Sequence, residues 1–476
     1  MAAPMMSRSV LAAATALLLA GCASTNPDTA FRLSAAEAHA RTGVEARLLR
    51  NDDDRRALAS EVDALLKEPL GLDAAVRIAV LNHPGLQASY WDAGVAQADL
   101  AQAARLRNPS FGFSRMDGGG SREIERGVSV DLAGLLTMPL RQRMAERRYQ
   151  EVTLSVAAAI ERHALATRRA WIEAVAAGQA LDYARQVAAA ADASSELMER
   201  MTLAGNASAL DLAREAAFHA EAGAAVLRAG RARDAAREHL TRQLGLWGAQ
   251  AGYALPERLP ELPHHPVELT GIERLALERR LDVSAARAAA AGTAADLGLT
   301  RSTRMINVLD LGYASKSETG EPRSEGYEVS LELPLFDWGG ARVARSEALY
   351  MQALGRVAET AVNARSEARA GYLGYRASYD VARHYREQVI PLRQKIAGET
   401  LLRYNGMLAS PFELLADARE QAAAVHATID ALKDFWMAEA DLEAALGGRL
   451  PAAQASTGPT QPTATHGHAH DHKEAH

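Results

Sequence analysis

Five of the chain's fourteen histidines fall in its last eleven residues: His466, His468, His470, His472 and His476. Imidazoles at alternate positions on a flexible segment bind Cu²⁺, Zn²⁺ or Ni²⁺, although without the fixed geometry of a structural site. A second reactive group stands near the other end. Cys22 is the only cysteine, and it closes the run Leu19-Ala20-Gly21-Cys22 behind Arg8 and the apolar stretch 10–20. That stretch is too short to span a bilayer and ends in small residues, so residues 1–21 read as a secretory signal peptide. A lone Cys also excludes an intramolecular disulfide framework. The third group is acidic. Asp211 follows Ser208 in Ala-Ser-Ala-Leu-Asp-Leu, and Glu413 follows Ser410 in Ala-Ser-Pro-Phe-Glu-Leu, at the same spacing. Ser208 and Ser410 are expected helix N-caps, with Asp211 and Glu413 in the first turn. Such carboxylates can complement a helix dipole, or form a ring if several copies surround a pore.

None of this is catalytic machinery. No phosphate-binding Gly-rich loop, nucleophile elbow or HExxH occurs, so an enzyme is not indicated and no cofactor is expected. The formal charge of -6 and the absence of a basic patch with interleaved aromatics argue against nucleic acid. No run of 18 apolar residues appears, so no transmembrane helix is expected. The tail beyond Gly448 is rich in Ser, Thr, Pro, Gly and His and is expected to be disordered.

The two Ser-containing hexapeptides stand at an offset of 202, and their neighbourhoods repeat too. Phe111-Gly112-Phe113 answers to Leu311-Gly312-Tyr313. Gly127-Val128-Ser129-Val130-Asp131-Leu132 answers to Gly326-Tyr327-Glu328-Val329-Ser330-Leu331, and Met138-Pro139-Leu140 to Leu333-Pro334-Leu335. The chain is a tandem duplication of a unit of about two hundred residues. The divisions expected are a lipid-anchored segment 22–69, a first repeat 70–247, a Pro-rich linker 248–268, a second repeat 269–448 and the tail 449–476.

Each repeat alternates long helical stretches with short strands. No proline separates Pro139 from Pro256, and Gly205-Asn206 is the one strong break, so 140–204 reads as one helix and 208–246 as its return. At 1.5 Å per residue the first would be about 100 Å long, more than a compact domain can use. Ile160, Ala164, Thr167, Trp171, Ala174, Gly178 and Leu181 form a 4,3-spaced seam of mostly small residues, suited to close helix approach. The second copy repeats it at Ala368, Tyr372, Tyr375, Tyr379, Ala382, Arg386 and Val389, and Pro391 predicts a kink there. The strands alternate: Tyr327, Val329, Leu331, Leu333 and Leu335 are apolar between Glu328, Ser330, Glu332 and Pro334. Such a strand could cross a bilayer, and four of them cannot close a barrel, so a membrane location requires several chains. His264-His265, between prolines, reads as exposed loop.

These features together resemble the TolC-type outer-membrane factors. The closest stretches are 403–415, beginning Arg403-Tyr404-Asn405-Gly406, and Leu333-Pro334-Leu335-Phe336-Asp337-Trp338-Gly339-Gly340, and the likeness covers about residues 70–448. The resemblance implies an α+β fold: a tandem-repeat protomer with long coiled-coil helices in a periplasmic α-barrel. Its four strands would join a trimeric twelve-stranded transmembrane β-barrel. It implies a homotrimer in outer-membrane lipid whose tip meets a periplasmic adaptor and an inner-membrane pump of RND type. Gly205, Asn206, Ser208, Tyr404, Asn405, Gly406 and Ser410 would form the adaptor-contact tip, with Asp211, Glu413, Arg200 and Arg403 at a gate. Gly406 stands one place earlier than the family's usual Tyr-x-x-Gly. Leu-Ala-Gly-Cys resembles a bacterial lipobox, which would make Cys22 the lipidated residue, and Ala23 favours release to the outer membrane. The wording of the 403–415 stretch and the His-rich tail point to the heavy-metal efflux branch, with metal cations as cargo. A drug or protein-secretion exporter of the same fold, a periplasmic metal-buffering lipoprotein and a poreless envelope coiled coil remain as alternatives.

Overall fold

The computed structural model describes residues 27–305 and 308–450; Cys22 and the five tail histidines lie outside the described residues. Two leading helices, α1 (Pro27–Thr42) and α2 (Asp52–Leu65), precede the repeats. The first unit is α3 (Leu72–Asn82), α4 (Pro84–Ala103), β1 (Ser110–Gly118), β2 (Ser121–Asp131), α5 (Leu132–Leu203) and α6 (Ala209–Leu244). The second is α7 (Ile272–Arg279), α8 (Leu281–Thr303), β3 (Leu309–Glu318), β4 (Ser324–Leu331), α9 (Gly340–His384), α10 (Ile390–Asn405) and α11 (Pro411–Leu446). Among the described residues no helix is long and apolar enough to cross a membrane.

α5 has 72 residues, about 110 Å of helix. It begins earlier than 140. Asp131 caps it directly, its carboxylate accepting from Gly134 N at 2.6 Å, and Pro139 sits inside the helix. The second copy differs. β4 stops at Leu331, short of the expected Leu333 and Leu335, and α9 waits until Gly340. Pro334 has no N–H to continue a ladder, and Gly339, at φ +71, reverses the chain with its N–H on Asp337. The Leu-Pro-Leu landmarks therefore occupy a helix in one copy and a connecting segment in the other. At Pro391 a single π-helical turn, Tyr385–Val389, joins α9 to α10, giving the chain a way past the missing N–H.

The expected seams are where the helices pack. Ile160, Ala164, Thr167, Trp171, Ala174 and Leu181 are buried, as are Ala368, Tyr375, Tyr379 and Ala382. Buried polar ends find carbonyls: Trp171 Nε1 donates to Leu70 O at 2.7 Å, and Tyr90 Oη to Val80 O at 2.8 Å. Tyr379 Oη donates to His264 O at 2.6 Å, and Trp436 Nε1 to Pro260 O at 3.0 Å, which pins the inter-repeat linker to α9 and α11. The His264 and His265 side chains are exposed.

One half-buried pair carries a pH consequence. The ring centroids of His83 and His163 lie 4.2 Å apart at a tilt of 42°, and His163 Nε2 donates to Gln243 O at 2.9 Å. Burial, then the neighbouring His83, push His163 down to about 4 from 6.5. Between those values the unfolded chain binds a proton that the folded chain refuses, so stability falls as pH drops from about 6.5 towards 4. Wild type should lose on the order of 2 kcal/mol more than His163→Gln across that window, measured as unfolding midpoints at pH 7 and pH 4.5. Parallel losses would show that His163 is not the group responsible.

Candidate functional site

The candidate functional features lie at the two ends of α5. At its start, the four strands form one antiparallel sheet in the order β1-β2-β3-β4. Gly119 and Gly120, at φ +61 and +83, make the two-residue turn between β1 and β2. The register places Phe111 beside Val128, Val128 beside Tyr313 and Tyr313 beside Tyr327. The next rows are Val130, Leu311 and Val329, then Leu309 and Leu331. Laterally paired residues share a face, so these apolar side chains form one continuous surface across the sheet. It is uncovered in the chain; Tyr327 is 86% exposed. The opposite face carries Gly112, Gly127, Gly312, Ser129, Ser330 and Glu328. Near the hairpin ends charges take over: Asp117 pairs with Arg115 at 3.0 Å and Arg122 at 2.9 Å, and Lys316 with Glu123 at 2.7 Å. β1 and β4 each present one edge with no strand beside it among the described residues.

At the other end are the two helix-to-helix turns. Ser208 caps α6: its Oγ accepts from Asp211 N at 3.2 Å, while Asp211 Oδ2 accepts from Ser208 Oγ at 2.6 Å and Ser208 N at 3.3 Å. Asp211 is thus occupied by the cap, with Arg214 3.6 Å away. Ser410 caps α11 in the same way, accepting from Glu413 N at 3.2 Å, but Glu413's carboxylate has no partner among the described residues and is exposed. Arg200 pairs with Glu196 on its own helix, and Arg403 is exposed, with no partner among the described residues. The four proposed gate residues are therefore not brought together within one chain.

The helix ends are closed alike by different residues. In the first turn Gly205 N donates to Thr202 O and Asn206 N to Met201 O, with Gly205 at φ +77. In the second, Met407 N donates to Tyr404 O and Leu408 N to Arg403 O. The left-handed position there is Met407 at φ +58, not Gly406; among the described residues it is the one non-glycine with positive φ. The glycine has slid one place, and Met407 carries the strain. Asn405 ends α10 and is exposed beside it. Leu203, Leu210, Met407 and Leu408 are also exposed, Met407 by 93%, so both turns offer apolar surface.

Sequence reasoning missed the link between the hairpins. Glu215 on α6 is 3% exposed; it accepts from Ser194 Oγ at 2.5 Å and pairs with Arg419 of α11 at 2.6 Å. The Arg419 guanidinium lies 4.1 Å over the Phe218 ring. The repeat held the signal: Asp417 stands at Glu215's place in the second copy, and it accepts from Thr400 as Glu215 does from Ser194.

Three solved structures share this architecture. A membrane protein from Pseudomonas aeruginosa is 21% identical with a TM-score of 0.67, over 79% of this chain and 93% of that one. CusC, whose structures concern transmembrane channel formation, is 17% identical with a TM-score of 0.66, over 80% and 92%. The outer-membrane channel CmeC of Campylobacter jejuni is 15% identical with a TM-score of 0.66, over 79% and 85%. No family model matches the sequence, and no curated protein matches it. The chain has the fold of these outer-membrane channels.

Replacing Met407 by Gly should relieve strain of about 1 kcal/mol and slow amide exchange at 407–408, whereas Gly406→Ala should change little. Faster exchange in Met407→Gly would contradict the assignment. Arg419→Leu should cost about 2 kcal/mol locally by stranding Glu215, accelerating exchange over 212–222 and 412–424. Adding Glu215→Gln should recover most of that protection; no recovery would show that packing, not charge, is what Arg419 provides.

Proposed function

We propose that the chain is the outer-membrane channel component of a tripartite efflux system, conducting cargo passively from an adaptor and an inner-membrane pump to the exterior. One observation carries this reading: a four-stranded sheet, apolar on one face and open at both edges, at the head of a helical body about 110 Å long. In hydrocarbon each unpaired backbone group costs several kcal/mol, so the sheet is tenable only in a closed ring. Three copies give twelve strands, and the helices then continue the barrel through the periplasm. Cys22 carries the lipid anchor.

The exposed turns form the adaptor-contact tip: Gly205, Asn206 and Ser208 in one, Tyr404, Asn405, Gly406 and Ser410 in the other. Glu413 and Arg403, exposed and without partners among the described residues, are the groups free to face other copies across a gate; Asp211 and Arg200 are held locally. Heavy-metal cations are the favoured cargo, resting on His466, His468, His470, His472 and His476. A drug or protein-secretion exporter is the second reading, supported by the same sheet. A metal-buffering lipoprotein or a poreless coiled coil has no use for an uncovered apolar sheet.

The test is growth of a deletion strain across copper, silver, zinc, cobalt, nickel and a drug panel, complemented by the full chain or by one ending at Leu450. Sensitivity to one metal, restored by the full chain, is expected, and restoration by the full chain alone would place the histidines on the transport path. Sensitivity to drugs alone would overturn the metal reading and leave the channel. Purified chain should also give stepwise conductance in planar bilayers; its absence would overturn the channel itself.

A further inference from the structure

Glu161 of α5 is 7% exposed, and its carboxylate makes no hydrogen bond or ion pair among the described residues. By contrast Glu443 is matched by Arg168 and Glu215 by Arg419. Burial raises Glu161 to about 7, opposed by Arg41, with Asp282 adding to the rise and Arg280 and Arg279 lowering it. A carboxyl left in this condition in a dry core would be an unrelieved cost. Glu161, however, lines a cavity.

That cavity, of about 550 Å³, is an open groove where α5, α9, α11 and the α7–α8 junction meet. Much of its lining is small or apolar: Ala158, Leu165, Leu281, Gly371, Gly374 and Ala445. Its other charges are largely spent on one another. Arg280 holds Asp282 at 2.6 Å and Glu367 at 2.5 Å, and Arg169 holds Asp441. Arg162 is exposed on its wall. The group left over inside is Glu161, an acceptor above a floor of alanine, glycine and leucine.

The occupant this arrangement fits has one compact cation and an apolar body. A bare metal ion does not fit: among the described residues no group of three His, Cys, Asp or Glu is placed to hold one. A guanidinium would want a planar two-point acceptor with its remaining N–H groups also satisfied, which one carboxylate does not provide. An ammonium needs less. We propose that this groove binds an amphipathic primary amine, with its ammonium on Glu161 and its apolar part along the floor between α5, α9 and α11. The inference stands apart from the channel reading, because it concerns the helical body and not the sheet or the tip.

Full-length chain purified in detergent is titrated with dansylcadaverine, a fluorescent primary amine with an aromatic body, and with its N-acetylated, uncharged form. Saturable binding of one probe per chain is expected, weakened at least tenfold by N-acetylation and by Glu161→Gln, and unchanged by Glu261→Gln in the exposed linker. Removing an unpaired buried acid should leave the unfolding midpoint of Glu161→Gln at or above wild type, so lost binding is not lost fold. A Cβ at Gly374 meets nothing within 4 Å and Gly374 lines the same groove, so Gly374→Leu narrows it while keeping the carboxylate and should abolish binding independently. Equal affinity in Glu161→Gln and Gly374→Leu would place the amine elsewhere and overturn the proposal. Absence of saturable binding to the folded oligomer would also overturn it, leaving the groove as a surface covered by a second copy.

Discussion

An antiparallel sheet with one apolar face and two free edges has no stable place alone in water or in lipid. In water the face and edges are templates for association; in hydrocarbon the edges leave backbone groups unpaired. The rest of the chain follows from that constraint. A duplicated hairpin supplies its own template for closure, because the second hairpin already pairs with the first through Val130 beside Leu311. Carrying the same relation to the next copy puts Val329 of β4 beside Phe111 of β1. The two hairpins differ by two residues in internal register, with Gly112 facing Gly127 but Gly312 facing Glu328. A shift of two keeps every side chain on its own face, so the apolar surface survives the difference.

The helices hold this sheet at the end of a long lever, and their packing changes character along its length. In the middle, aromatic and small residues interlock: Trp171 against the α3 region, Tyr375 and Tyr379 around Phe435 at 5.5 and 5.8 Å. Towards the turns, buried side chains thin out and single polar links take over, Glu215 with Ser194 and Arg419, and Asp417 with Thr400. Few buried apolar contacts put a region at the low end of local stability. The second hairpin differs further from the first, with a π turn before Pro391 and a methionine in a left-handed position at its end.

Much of this was legible because it is periodic. The 4,3 seams named the buried faces of α5 and α9, the repeat named both turns, and Ser208 and Ser410 cap the helices they were expected to cap. What escaped was local and depended on neighbours. Whether Pro139 or Pro334 breaks an element turns on whether a capping Asp precedes it in the right backbone geometry, and alternation alone carried β4 too far. Asp211 and Glu413 occupy equivalent places, yet the shorter side chain folds back on its cap and the longer one stays free. Gly406 drew attention as the glycine, while the strained position is its neighbour. The Glu215–Arg419 pair joins residues 204 positions apart, and only the equivalence of Glu215 with Asp417 hinted at it.

The central claim is that β4 of one chain pairs with β1 of another. The direct measurement is oxidative cross-linking of a Phe111→Cys/Val329→Cys chain in outer membranes, read on denaturing gels. Within one chain these positions lie on strands three spacings apart, about 14 Å, beyond disulfide reach. An intermolecular ladder ending at three chains is the expected result. Uncross-linked single chains from membranes in which the protein is folded would contradict the account.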